Sequence, residues 1–115
     1  MAAASANPII TQVGNEKGVT TVKAHGDITV ACVPEARATL QDVIAKTHPS
    51  KLIIDMADVR YMDSSGLAAL VEAKKRMPAK APVVLHNLSP DVKGLMKIMN
   101  LNLLFEFADD ADSPT

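Results

Sequence analysis

Tryptophan is missing from the 115-residue chain, and tyrosine occurs once, phenylalanine twice and cysteine once. With aromatics at 3% against 48% hydrophobic residues, the core must be built from Leu, Ile, Val, Met and Ala. Few rings are left on which the bases of a nucleic acid could stack. An excess of one charge is lacking too: 12 basic and 13 acidic residues leave a net charge of -1, which provides no broad basic field for a polyanion. Cys32 stands alone, so no intramolecular disulfide can form. A reducing compartment and a small buried hydrophobe are the simpler readings. No run approaches the roughly 18 apolar residues that span a bilayer. Residues 1–8 lack the basic segment and the longer apolar run of a secretory signal. They read as a flexible leader, and the protein is expected in the cytoplasm without membrane insertion.

The usual catalytic signatures are missing as well. There is no G-x-x-x-x-G-K-[ST] phosphate loop. A nucleophile elbow around Ser64 would need glycine where Met62 stands. His25, His48 and His86 are scattered without metal-ligand spacing and read as surface or turn residues. No catalytic set, cofactor or metal site is therefore expected. One rival reading remains, in which Asp55, Asp58 and Asp63 gather at a strand end and bind Mg²⁺, as in receiver domains. The early acidic pair and late lysine of that fold are not evident.

What is present suits a single domain over residues 9–107, followed by an acidic tail over 108–115. Ile9–Val13 and the β-branched run Val19–Ala24 predict an antiparallel hairpin closed by a turn at 14–18. From Gly26 the run 27–33 could extend a strand or lead as a loop into a helix. Pro34 suits a helix start, and Ala36, Leu40, Val43 and Ile44 make an apolar stripe to about residue 46. Leu52–Met56 is short, apolar and partly β-branched, as in a strand buried on both faces. Leu67, Leu70, Val71 and Met77 recur at helical spacing after it. Val83–Leu85 reads as a further strand. Ser89-Pro90-Asp91 signals a helix start, with a serine cap, proline in the first turn and an acid near the positive dipole end. That helix is expected to run to about Asn100, and 103–107 to form an edge strand or a docked segment.

The alternation of helices and strands predicts an α/β fold, with the loop at 61–67 at the C-terminal end of a sheet strand, where functional loops collect. Asp63 and Ser64 compete for the cap of the helix that follows. Two adjacent hydroxyls exceed what one cap needs. Gly66 costs roughly 1 kcal/mol of helix propensity relative to alanine, a cost offset if another backbone or a partner must come close. Ser65, Ala68, Ala69, Glu72 and Arg76 share one side by their spacing and predict a flat patch suited to docking.

Residues 52–67, with Asp63-Ser64-Ser65-Gly66-Leu67 at their end, resemble the signature of the STAS domain of bacterial anti-sigma factor antagonists. The likeness extends from about Ile9 to Phe107 and includes Ser89-Pro90-Asp91-Val92. It implies a small mixed sheet of four or five strands with three to four helices packed largely on one face. It also implies a non-enzymatic role in transcription regulation by partner switching. In that scheme Ser64 is phosphorylated by a serine kinase that doubles as an anti-sigma factor. The unphosphorylated domain, a monomer when free, binds that kinase and releases a sigma factor, and a metal-dependent serine phosphatase resets it. The expected partner-binding residues are Asp27, Thr29, Asp63, Ser65, Gly66, Ala68, Ala69 and Glu72. The chain departs from the family pattern where Gly26-Asp27-Ile28-Thr29 lacks a final acid and where Ala68 replaces a frequent glycine. A second reading is an interaction subunit of a signalling or transport complex that involves no sigma factor.

Overall fold

Alternating burial along the strands sets the architecture. In the computed structural model, which describes residues 8–108, Thr20, Val22, Ala24, Leu52 and Ile54 are buried while Thr21, Lys23, Ile53 and Asp55 are half-exposed. The expectation of a strand buried on both faces at 52–56 is thus corrected: only one face of this strand is fully covered. The elements in order are β1 (Ile10–Glu16), β2 (Val19–Ala24), α1 (Val33–Thr47), β3 (Lys51–Asp55), α2 (Ser64–Arg76), β4 (Val83–His86), α3 (Pro90–Ile98) and β5 (Glu106–Ala108), with a 3-10 turn at Leu101–Leu103 before the last. The sheet order is β1-β2-β3-β4-β5. Its first pair is antiparallel and the other three pairs are parallel.

The hairpin is tighter than the sequence suggests. Lys17 and Gly18, with φ of 56° and 83°, make a two-residue turn of the left-handed kind that matches strand twist. β1 therefore runs on to Glu16, and the register shift between Gln12 and Gly14 absorbs Val13 as a bulge. α1 begins one residue before Pro34 and ends where His48 adopts φ 46° and its N–H donates to the Ile44 carbonyl. Val33, Ala36, Leu40, Val43 and Ile44 bury its inner face. The Ser89 hydroxyl accepts the Val92 N–H at 3.2 Å, so α3 starts as its cap requires.

After α3 the chain turns through Asn100 (φ 61°) and the 3-10 turn, buries Phe105 and only then pairs with β4. Of the two readings for 103–107, the edge strand is the one found, and it starts at Glu106. Ala108, expected in the tail, closes β5. The rest of that tail and residues 1–7 of the leader lie outside the described residues. The core is aliphatic as composition requires, with Val22, Leu52, Ile54, Met56, Val59, Val83, Leu85 and Met96 inaccessible to solvent. No helix among the described residues is long and apolar enough to cross a membrane.

Candidate functional site

The connector from β3 to α2 is pinned by its apolar residues. Met56, Val59 and Met62 are buried, which turns Ala57, Asp58, Arg60 and Tyr61 outward. At its start, the Asp55 carboxylate accepts the Ala57 N–H at 3.0 Å and faces Lys23 Nζ at 3.4 Å, with Asp58 on the same ammonium at 3.6 Å. Burial pushes the Asp55 carboxyl up, but the Ala57 N–H, the Asn87 amide and the Lys23 charge together hold it below the usual carboxylate range.

At its end, the connector is zipped to the segment between β2 and α1. Asp27 Oδ1 accepts the N–H groups of Arg60 and Tyr61 at 2.9 and 3.1 Å. The Ile28 N–H donates to the Tyr61 carbonyl and the Asp63 N–H to the Ile28 carbonyl, making a parallel bridge between Ile28 and Met62. Asp63 completes the closure: Oδ1 accepts the Gly66 N–H at 3.0 Å and Oδ2 the Val30 N–H at 2.9 Å. Asp63, not Ser64, is therefore the cap of α2. The hydrogen bonds from Gly66, then Val30, hold its carboxyl below the usual range.

This arrangement leaves Ser64 as the first residue of α2, exposed, with no hydrogen bond to its hydroxyl among the described residues. Ser65 is half-buried. Gly66 is buried, and its missing side chain admits the chain's own backbone: a Cβ there would collide with the Ile28 carbonyl and lie 3.0 Å from Ile28 Cγ2. The close approach expected at Gly66 is thus intramolecular. The flat patch also needs correction, because Ala69 is only 2% exposed and belongs to the core. Ala68 is exposed. Glu72 is half-buried, bound to Arg37 Nε at 2.8 Å and Gln41 Nε2 at 3.1 Å, and ties α2 to α1. Asp27 and Asp63 likewise spend their carboxylates on backbone N–H groups. The Thr29 carbonyl receives the N–H groups of Cys32 and Val33 at the start of α1. Cys32 is half-buried, its thiol directed at the Asp27 carbonyl at 3.5 Å, and so is not the buried hydrophobe expected.

Two surface features carry only a weak signal in the sequence. Val30 is 68% exposed at the tip of the segment that Asp63 holds. Its place in an apolar run, 30–33, was the signal. The second is a groove of 410 Å³ between α2 and the chain after α3, lined by Ser64, Leu67, Ala68, Val71, Glu72, Lys75, Met99 and Leu101. Its sequence signal was the surplus of apolar residues from Ile98 to Leu104 beyond what a short edge strand uses. The three aspartates of the receiver-like reading do not assemble, since Asp55 and Asp58 share Lys23 while Asp63 caps α2. Among the described residues no group of three or more His, Cys, Asp or Glu could hold a metal.

A five-stranded mixed sheet with a serine presented at the start of its second helix defines a known class. The STAS-domain family model matches residues 11–113, and the chain belongs to that family. Among solved structures, an anti-sigma factor antagonist from Mycobacterium paratuberculosis is 22% identical with a TM-score of 0.75, covering 90% of this chain and 88% of that one. The Bacillus cell fate determinant SpoIIAA in its phosphorylated form is 17% identical, with a TM-score of 0.68 and coverage of 90% and 95%. A sulfate transporter family protein from Wolinella succinogenes is 21% identical, with a TM-score of 0.71 and coverage of 87% and 84%. At these identities the likeness establishes the fold.

Proposed function

We propose that this STAS domain is a phosphorylation-switched anti-sigma factor antagonist, with Ser64 as phosphoacceptor and a non-enzymatic mode of action in the cytoplasm. The observation that carries the reading is the presentation of Ser64: an exposed, unengaged hydroxyl at a helix N-terminus whose capping duty falls on Asp63. A phosphate there adds about -1.5 to -2 charges where the helix dipole tolerates them, so the fold persists while the surface changes. The unmodified domain binds a serine-kinase anti-sigma factor and frees its sigma factor. Phosphorylation by that kinase ends the complex through bulk, desolvation and repulsion, and a serine phosphatase restores it. ATP and Mg²⁺ come with the kinase. Ser64, Ala68, Val30 and Thr29 supply the surface, whereas Asp27, Asp63, Gly66, Ala69 and Glu72 hold it in shape. The phosphorylated SpoIIAA structure supports the reading by fold.

The test is incubation with the cognate serine kinase and ATP, followed by intact mass and site mapping. One phosphate on Ser64 is expected, and none on a Ser64→Ala variant. Kinase binding retained by Ser64→Asp would contradict the switch. The transporter-family neighbour favours a second reading, in which the same surface serves a larger signalling or transport assembly. Comparative capture from native cytoplasm with wild type, Ser64→Ala and Ser64→Asp separates the two. A sigma-regulating kinase lost only with the aspartate form selects the first.

A further inference from the structure

The net charge of -1 conceals how the fold sorts its charges. Strands β2 to β5 run parallel and the helices between them return the chain, so helix C-termini and strand N-termini share one end of the molecule. That end is stitched together across the sheet. The Gly18 carbonyl accepts the Ser50 and Lys51 N–H groups at 2.8 and 3.3 Å, the Leu52 N–H donates to the Pro82 carbonyl at 3.1 Å, and Lys74 Nζ donates to the Ala81 carbonyl at 2.9 Å. More than half of the 12 basic residues converge there. Lys17 stands at the hairpin turn, Lys46 in the last turn of α1 and Lys51 at the start of β3. Lys74, Lys75, Arg76 and Lys80 come from the end of α2 and the turn after it. Glu16 and Asp42 are the only acids in these segments, and Asp42 is bound to Lys46 at 3.1 Å. Lys17, Lys75, Arg76 and Lys80 are exposed and make no salt bridge among the described residues. The acids collect at the other end: Asp27, Asp55, Asp58, Asp63 and Asp91 lie on the loops and first turns that lead into the helices.

We infer that this basic end docks on an anionic lipid bilayer, where the domain sits peripherally with Ser64 facing away from the surface. The chemistry of the end selects this occupant. Its cations are lysines but for Arg76, hydrated point charges on flexible stems that suit a diffuse layer of headgroups better than a fixed set of carboxylates. A protein interface of high affinity is depleted in lysine and needs an apolar or aromatic centre. None of the large exposed hydrophobics lies in these segments. Nucleic acid would find no exposed ring there on which to stack a base. A second copy fares no better, because the acids at its Ser64 end are engaged: Asp27 and Asp63 hold backbone N–H groups, and Asp55 and Asp58 share Lys23. Each lysine or arginine brought to an anionic bilayer strengthens binding about fivefold. Attachment and the serine then occupy opposite ends, so a surface-bound domain keeps Ser64 accessible. The inference goes beyond the antagonist reading and does not rest on it.

The experiment sediments the full chain with vesicles of phosphatidylcholine alone and of equal parts phosphatidylcholine and phosphatidylserine. Binding to the mixed vesicles alone is expected, and it should weaken as salt screens the charges. A variant combining Lys75→Gln, Arg76→Gln and Lys80→Gln should bind about a hundredfold more weakly, with a melting curve confirming that it is folded. Lys75→Arg with Lys80→Arg, which keeps the charge, should bind like wild type, and so should Ser64→Asp. Wild type that ignores the mixed vesicles at low salt, or binds both kinds equally, overturns the inference. So does a triple glutamine variant that binds like wild type. Tighter binding to duplex DNA than to the mixed vesicles would make the end a nucleic-acid surface instead. Self-association that the triple variant abolishes would assign it to a second copy. Failure of a kinase to phosphorylate Ser64 would remove the antagonist reading and leave the vesicle result standing.

Discussion

Gly66 occupies the first turn of α2 because the Ile28 carbonyl occupies the space where a Cβ would stand. Two effects oppose each other in Gly66→Ala. Helix propensity favours alanine by about 1 kcal/mol, and the steric conflict with backbone costs about 1–3 kcal/mol. The neighbour is a carbonyl held by the Asp63 N–H, not a mobile side-chain end, so the conflict should win. Denaturant melts should show net destabilisation, and a more stable variant would contradict the close packing. Asp63 works by polarity instead. Its carboxyl is held below the ordinary value of 3.8, so its contribution to stability is complete above that value and is lost as pH falls through the lower folded value. Asp63→Asn retains a capping oxygen for Gly66 but turns an amide toward Val30. Faster exchange of the Val30 amide is expected, together with a flatter acid limb of the stability profile below about pH 4. An unchanged Val30 exchange rate would mean that Asp63 does not hold that segment.

At the scale of elements, start signals proved more informative than ends. Ser89 and Pro90 mark the beginning of α3 in the sequence because a cap is local chemistry, complete within four residues. Ser89→Ala should therefore lower stability by about 1 kcal/mol, measured by denaturant melting. An effect near zero would mean that water replaces the hydroxyl. The last strand was less legible. Whether 103–107 pairs or merely docks depends on the space left at the β4 edge, which no local pattern encodes. Phe105 anchors the segment by burying its ring in the hydrophobic core, and Phe105→Ala should cost about 3–5 kcal/mol. In exchange measurements the β5 amides should lose protection first. The hairpin turn differs from its local pattern for a similar reason: Gly14 reads as a breaker, but across the bulge it pairs with Thr21.

For the whole molecule, the partition between scaffold and surface is the main consequence. The residues that make the loop's shape are buried or spend their polar groups internally, and Ser64 does neither. Ser64→Asp should accordingly melt within about 0.5 kcal/mol of wild type, as exposed substitutions usually do, while losing the kinase. A large stability loss would place Ser64 in the scaffold. The Lys23 pairs with Asp55 and Asp58 are part-exposed, and pairs of that kind contribute about 0–1 kcal/mol. Removing them should leave fold and partner binding nearly unchanged.

The aliphatic core, the helix starts near Pro34 and at Ser89-Pro90, the strand-to-helix junction at Ser64 and the STAS resemblance are legible in the amino-acid sequence. All of these are written in local spacing or in short motifs. Three-dimensional packing alone sets which neighbour Gly66 accommodates, that Asp63 joins two loops 33 residues apart in sequence at Val30, and that Ala69 faces the core. It also decided that α2 and the chain after α3 enclose a groove ending at Ser64. Such facts depend on the distance between segments remote in sequence, and that distance is set by how the sheet and helices pack.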